Sequence, residues 1–149
     1  WSLMLLPLCG VVWTEGKTRR EERIRRDPSA HRARNAYGNA KKRLRLAEQA
    51  LKEGLIPDFY GHISRVLLSY LHERANLPAL GMTQEELRAA ALEVGYTPEL
   101  MGLVFVELDN CDFARFAPAS SAHEEMRETL QRVQRLLEGL HGITPRRRA

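Results

Sequence analysis

Between residues 29 and 53, apolar side chains recur at alternating steps of four and three residues. Polar residues fill most of the positions between them. This spacing places the apolar residues on one face of an α-helix and leaves the other faces to solvent. The stripe consists of Ala33, Tyr37, Ala40, Leu44, Ala47 and Leu51. Because many of its members are alanine, a neighbour can approach closely, and the pattern predicts a helix packed along a second helix.

The second predicted helix is the most hydrophobic long helix of the sequence. It follows the stop signal Gly54, has Asp58 near its first turn and runs to about Asn76. Because only a short turn separates it from the first helix, we expect the two to pack antiparallel. One wide face is apolar and should form the core: Phe59, Ile63, Val66, Leu67, Tyr70 and Leu71.

Three further helices are predicted at about 84–94, 98–110 and 122–140, each with a start signal. These signals are Thr83 with Glu86, Thr97 with Pro98, and Ser121 with Glu124. The short third helix should bury Leu87, Ala91 and Leu92. Aromatic residues make up only 7% of the chain, and long runs of Val, Ile and Thr are absent. The sequence therefore predicts an all-α bundle of about five helices with helical-hairpin packing.

Residues 111–120, CDFARFAPAS, are predicted to form an irregular link between the fourth and fifth helices. Phe113 and Phe116 are three residues apart, with Arg115 between them. In the favoured interpretation, the two rings plug the bundle between these helices. In the alternative, they form an aromatic anchor for a binding partner.

Residues 1–13, WSLMLLPLCGVVW, contain no charge, and a basic segment, 14–34, follows at once. An apolar run that ends in a basic one is typical of a transmembrane helix leaving the bilayer on the cytoplasmic side. Thirteen residues are too short to cross a bilayer, so we expect this helix to begin upstream. The alternative is an N-terminal core helix or an expression artefact. The membrane-proximal basic residues would be Arg19, Arg20, Arg23, Arg25 and Arg26.

Four segments result from these patterns. They are the C-terminal part of a transmembrane helix (1–13), a basic juxtamembrane connector (14–34), a cytoplasmic helical domain (35–140) and a basic flexible tail (141–149). Two cysteines, Cys9 and Cys111, without a CxxC spacing make a disulfide framework improbable, as in a reducing compartment.

The formal net charge of +4 belongs to the ends of the chain and not to its middle. Residues 35–145 hold 12 basic and 15 acidic residues, whereas a nucleic-acid-binding domain carries its basic patch on the fold. Helices three and four have the outline of a helix-turn-helix, but residues 97–110 contain no Lys or Arg. A recognition helix needs donors for bases and phosphates. A nucleic-acid-binding or regulatory-ligand-binding domain is therefore the second hypothesis.

The polar residues do not form a recognisable catalytic, metal or cofactor motif. His62 and His72 lie ten residues apart on one helix, too far to share a metal ion. Cys111 lies beside acidic residues that disfavour its thiolate, so we expect it to be structural. We expect Glu107, Asp109 and Asp112 to form a solvated helix end. These observations predict neither an enzyme nor a cofactor.

Four stretches of the chain carry a family resemblance. In order they are AKKRLRLAEQALKEG (40–54), DFYGHISRVLLSYLHERANLP (58–78), GMTQEELRAAALEVG (81–95) and CDFARFAP (111–118). They resemble the cytoplasmic C-terminal region of BatD proteins, the Bacteroides-aerotolerance or oxygen-tolerance family. The phrase CDFARFAP followed by a capped helix is the most specific part.

The resemblance implies a bacterial inner-membrane protein with a single span, its N-terminal side outside and this domain cytoplasmic. It implies no enzymatic activity and a scaffold or assembly role. The implied partners are a MoxR-type AAA+ ATPase and membrane proteins with von Willebrand A domains. Extracytoplasmic β-rich domains, which usually precede the membrane helix in this family, are not part of the sequence.

Overall fold

Five α-helices make up the part of the protein that the computed structural model describes, residues 28–116 and 122–146. They are α1 (Pro28–Glu53), α2 (Ile56–Ala75), α3 (Gln84–Glu93), α4 (Pro98–Ala114) and α5 (Ala122–Gly142), and a short 3-10 turn, Ala79–Gly81, precedes α3. Strands are absent from these residues. The predicted all-α bundle of about five helices is confirmed.

Helices α1, α2, α4 and α5 form a bundle, and α3 packs outside it. The α1–α2 hairpin has the most extensive contact between any two helices. Helices α1 and α4 each pack against both α2 and α5, whereas α1 and α4 scarcely meet. They therefore occupy diagonally opposite corners of the bundle. Helix α3 packs against α4.

Alanine allows the close contact between α1 and α2. The buried face of α1 consists of Ala33, Ala36, Ala40, Leu44, Ala47 and Ala50. This face is turned slightly from the predicted stripe, because Tyr37 and Leu51 are only half-buried at its edge. Small side chains let the helix backbones approach one another, and Tyr37 and Leu51 lie at the margin of the contact.

Helix α2 is the centre of the core, as predicted. All six residues of its predicted apolar face are buried: Phe59, Ile63, Val66, Leu67, Tyr70 and Leu71. The helix touches α1 on one side and α4 and α5 on the others. Its apolar residues are therefore enclosed on several sides by the rest of the domain.

The predicted helix boundaries that depend on local chemistry are confirmed. The hydroxyl of Thr83 accepts a hydrogen bond from the Glu86 backbone N–H at 3.2 Å, and the Glu86 carboxylate accepts one from the Thr83 N–H at 2.8 Å. Thr97 caps α4 in the same manner from its hydroxyl. Gly54 and Gly95 have φ angles of 68° and 108°, which favour glycine. The predicted cap at Ser121 lies outside the described residues.

Two predictions on the third and fourth helices are wrong. Helix α4 continues to Ala114, so the first four residues of the predicted link are helical. The reason is that Cys111 extends the buried face of α4 by another turn, and a helix end at residue 110 would remove it from the core. Leu92 is exposed, because Ala90 and Ala91 turn that side of α3 inwards.

The folded region is wider than the predicted domain of residues 35–140. Helix α1 already begins at Pro28, and its Tyr37 ring stacks on His141 with ring centroids 4.3 Å apart. Beyond α5, the backbone N–H of Arg146 donates to the Val94 carbonyl at 2.7 Å. Residues 141–146, which belong to the predicted tail, therefore make contacts with the bundle.

The described helices do not include the predicted membrane segment. None of them combines the length and the apolar character needed to cross a bilayer. The predicted membrane segment, 1–13, and the basic residues from Arg19 to Arg26 lie outside the described residues.

Candidate functional site

Helix α4 has large apolar side chains on its outward side as well as on its buried side. Leu103 and Val106 are 57% and 55% exposed, and Phe113 is 78% exposed. Phe116, just after the helix, is 87% exposed. Val106 and Phe113 are seven residues apart, which places them on one side of the helix, two turns from one another. We refer to Leu103, Val106, Phe113 and Phe116 as the α4 face.

An open groove of about 420 Å³ borders the α4 face, between α4 and α5. Its apolar lining comes from Leu100, Leu103, Val106 and Leu136. Arg135 stands on the α5 edge of the groove. A groove of this kind can receive an apolar side chain or one turn of a helix.

A buried ion pair connects the two helices that form the groove. Glu107 of α4 is only 4% exposed, and its carboxylate accepts a hydrogen bond from Nε of Arg132 on α5. The hydrogen bond to Glu107 raises the pKa of the Arg132 guanidinium above its usual value. Arg132 also donates to the Thr129 hydroxyl at 3.0 Å. The pair therefore fixes the spacing of α4 and α5 at the groove.

The prediction that Glu107, Asp109 and Asp112 form a solvated helix end is wrong for the first of them. Glu107 faces α5, where Arg132 provides the charge that makes its burial tolerable. The other two carboxylates are exposed. Asp109 accepts a hydrogen bond from Gln84 at 2.6 Å, which ties α4 to the start of α3.

At the end of α4, Cys111 and Arg115 face the bundle, and Phe113 and Phe116 face solvent. Cys111 is fully buried, and four residues later the Arg115 guanidinium lies against Gly61 of α2. A Cβ atom at Gly61 would lie 2.7 Å from Nη2 of Arg115, so a larger residue would displace the guanidinium. The Phe116 N–H donates to the Phe113 carbonyl at 3.2 Å, which closes the last turn.

The predicted plug is therefore wrong. Phe113 and Phe116 do not fill the space between α4 and α5, since both rings are largely in solvent. Cys111 and Arg115 occupy the inward side of this helix end, and Phe113 lies nearly opposite Cys111 on the helix. The alternative interpretation, an aromatic anchor for a partner, stays a hypothesis.

Two observations concern metal binding and the reactivity of Cys111 in the described part of the chain. In residues 28–116 and 122–146, no group of three or more His, Cys, Asp or Glu side chains is arranged to hold a metal ion. Burial, together with the charges of Glu107 and Asp112, raises the pKa of the Cys111 thiol to about 12. A neutral, buried thiol is a poor nucleophile, which agrees with the structural role predicted for this cysteine.

We expect the thiol of Cys111 to resist alkylation while the protein is folded. In a Cys9→Ser variant, iodoacetamide at mildly alkaline pH should modify Cys111 only as the domain unfolds. The raised pKa keeps the thiolate scarce below about pH 12, and the bundle blocks access. Mass spectrometry with and without denaturant measures the difference. Rapid modification of the folded protein would contradict this placement of Cys111.

The sequence did not predict the groove or the exposed positions Leu103 and Val106. The only signal is that 100–108, LMGLVFVEL, is apolar on nearly all sides. A helix of this composition has more apolar residues than one buried face requires. The sequence alone does not show which of these residues α2 and α5 cover.

The chain was compared with protein families, curated proteins and solved structures. No family model, no curated protein and no solved structure matches the chain.

Proposed function

We propose that the domain is a non-enzymatic protein-interaction module, tethered to the bacterial inner membrane on its cytoplasmic side, in a BatD-like oxygen-tolerance protein. In this proposal it scaffolds an assembly with a MoxR-type AAA+ ATPase and with membrane proteins that carry von Willebrand A domains. The family resemblance suggests these partners and the membrane tether. The single observation that carries the interaction role is the α4 face.

The exposure of Phe113 and Phe116 supports a docking role on energetic grounds. Moving a phenylalanine side chain from water into a packed interface contributes roughly 1.5–3 kcal/mol. Aromatic residues near the centre of an interface often account for most of its binding energy. At the end of α4, Cys111 and Arg115 lie on the inward side, and the Phe113 and Phe116 rings remain in solvent, where a partner can reach them.

The neighbouring groove supports the same role. Leu103 and Val106 belong both to the α4 face and to the groove lining, so the apolar surface is continuous from the groove to Val106. Arg135 on the groove edge favours a partner segment with an acidic residue beside its apolar contacts. An amphipathic helix laid into a groove is a common mode of such recognition.

The charge of α4 disfavours nucleic-acid binding through this helix. Over Pro98–Ala114 the helix has no Lys or Arg, and it has four acidic residues. Phosphate contacts supply most of the affinity of nucleic-acid-binding proteins and require cationic donors. A protein surface is therefore the better match for this helix.

The test is the affinity of the full chain, in detergent, for the purified ATPase and for the von Willebrand A-domain protein. We expect a Phe113→Ser/Phe116→Ser variant to bind at least one of them about thirtyfold more weakly, since loss of one interface hot spot costs about 2 kcal/mol. Leu80→Ser is the matched control, because Leu80 is an exposed leucine on the 3-10 turn. Equal affinity for the double variant and the control would contradict the docking role of the two rings.

A further inference from the structure

The charges of the domain are divided between α1 and the rest of the fold. Helix α1 carries seven Lys and Arg residues and two Glu, a net charge of +5. The other described residues, 54–116 and 122–146, carry eight Arg and 13 Asp or Glu, a net charge of −5. The domain is thus strongly dipolar, with its positive end at one corner of the bundle.

The cations of α1 form a line on its outward side. Five exposed residues fall within about 100° of arc around the helix and extend about 27 Å along it. We call them the α1 stripe, and they are Arg34, Lys41, Lys42, Arg45 and Lys52. Glu48 lies between Arg45 and Lys52 along the helix, and it lines an open groove towards α5 together with Lys41 and Arg45.

The α1 stripe differs from the one cation of α1 that has a structural task. Arg43 forms an ion pair with Glu73 of α2 at 2.6 Å, and Asn39 donates to the same carboxylate at 3.0 Å. In the part of the chain that the structure describes, the stripe residues form no ion pair, and Lys41 Nζ lies 4.5 Å from the centroid of the Tyr37 ring. Five cations on one exposed line repel one another, so an anionic surface opposite them would lower the free energy.

We propose that the α1 stripe docks the domain on the anionic lipid headgroups of the membrane. This inference deepens the proposed function, since it depends on the same membrane tether. The basic run that contains Arg19 and Arg26 leads directly into α1, so the positive charge continues from the predicted membrane exit to Lys52. Each Lys or Arg close to an anionic leaflet contributes about 1 kcal/mol. A straight stripe matches a flat bilayer, and the acidic remainder of the domain is repelled from it.

This docking would set the orientation of the whole domain. Because α1 and α4 occupy opposite corners of the bundle, a stripe against the lipid turns the α4 face away from the bilayer. Phe113 and Phe116 would then point to the cytoplasm, where a soluble partner can reach them. A domain docked through α4 would instead bury the same rings.

Fluorescence quenching by a nitroxide on the lipid headgroup tests the orientation in the full chain. In a Cys9→Ser background, Gly38→Cys places a fluorophore in the middle of the α1 stripe, and Gly102→Cys places it on α4. A Cβ atom at either glycine has open space around it. The vesicles are phosphatidylcholine alone or mixed with phosphatidylglycerol.

We expect quenching at position 38 to be at least about fivefold stronger in the anionic vesicles, and quenching at position 102 to be weak in both. About 1 M salt, at which the Debye length is about 3 Å, should remove the difference. A Lys41→Glu/Lys42→Glu/Arg45→Glu variant should lose it at low salt, whereas Arg65→Glu, a change at an exposed arginine of α2, should keep it. Circular dichroism checks that each variant is folded.

The measurements distinguish a failure of the α1 stripe proposal from a failure of the proposed membrane tether. Flotation with phosphatidylcholine vesicles reports the tether, and quenching at position 38 reports the stripe. If the tether is wrong, the stripe still predicts flotation with anionic vesicles alone. Equal quenching at positions 38 and 102, or quenching that persists in the triple variant, would overturn the proposal. So would binding to RNA that requires the three cations, without lipid-dependent quenching.

Discussion

Leu67→Asp is expected to unfold the domain at room temperature. Leu67 is fully buried in α2, the helix that contacts α1, α4 and α5. Truncating a buried leucine costs about 2–5 kcal/mol, and an aspartate without a partner adds a desolvation cost of several kcal/mol. Together these approach the whole stability of a typical domain, about 5–15 kcal/mol. Circular dichroism should show loss of cooperative melting.

The matched control for this variant is Leu46→Asp. Leu46 is an exposed leucine on α1, so the same change in chemistry removes little packing there. Its effect should stay within about 1 kcal/mol. Similar melting of Leu67→Asp and the unmodified protein would place Leu67 on the surface and contradict the core described above.

Arg132→Ala is expected to destabilise the domain by about 3 kcal/mol. The substitution leaves the Glu107 carboxylate buried without its cation and also removes the donor to Thr129. Removing one partner of a buried ion pair costs about 3–5 kcal/mol. We expect the lower end, because the Arg132 side chain is 39% exposed and water can reach part of the site. Chemical denaturation measures the change.

Two further variants identify the source of this effect. Arg127→Ala removes a surface pair with Glu124 and should cost less than about 1 kcal/mol. A Glu107→Leu/Arg132→Leu double variant should recover most of the lost stability, since apolar residues can replace a buried pair without penalty. A double variant as unstable as Arg132→Ala would show that the buried charge is not the cause.

Most of the fold could be predicted because its determinants are local. Helix starts at Thr83 and Thr97 depend on a hydroxyl and on residues within one turn of it. The apolar face of α2 appears in the sequence as a plain helical period, and no distant residue changes it. Stop signals such as Gly54 and Gly95 need only the backbone angles that glycine favours.

The candidate site was harder to predict because its geometry depends on distant residues. Glu107 is buried because Arg132, 25 residues away, reaches it from α5. The orientation of Phe113 depends on whether the helix continues beyond residue 110, and a buried Cys111 decides that question. Once the helix extends to Ala114, Cys111 and Arg115 lie on one side of it because they are four residues apart. Phe113, two residues after Cys111, then lies on the opposite side, towards solvent.

The distribution of charge over the domain was also not predicted from the sequence. Counting residues 35–145 as one body gives a nearly balanced, slightly acidic surface. The structure shows instead that α1 is basic and that the remaining described residues are acidic. An average over the sequence therefore conceals two oppositely charged sides, because it ignores which residues share a helix.

Photo-crosslinking from position 113 of the full-length protein in bacterial membranes tests the interaction role most directly. Benzoylphenylalanine replaces Phe113 in one variant, Phe116 in a second and Leu80 in a control. The α4 face predicts adducts with the MoxR-type ATPase or with a von Willebrand A-domain protein from positions 113 and 116, and few from position 80. Absence of these adducts at both α4 positions, or an equal yield from position 80, would contradict it.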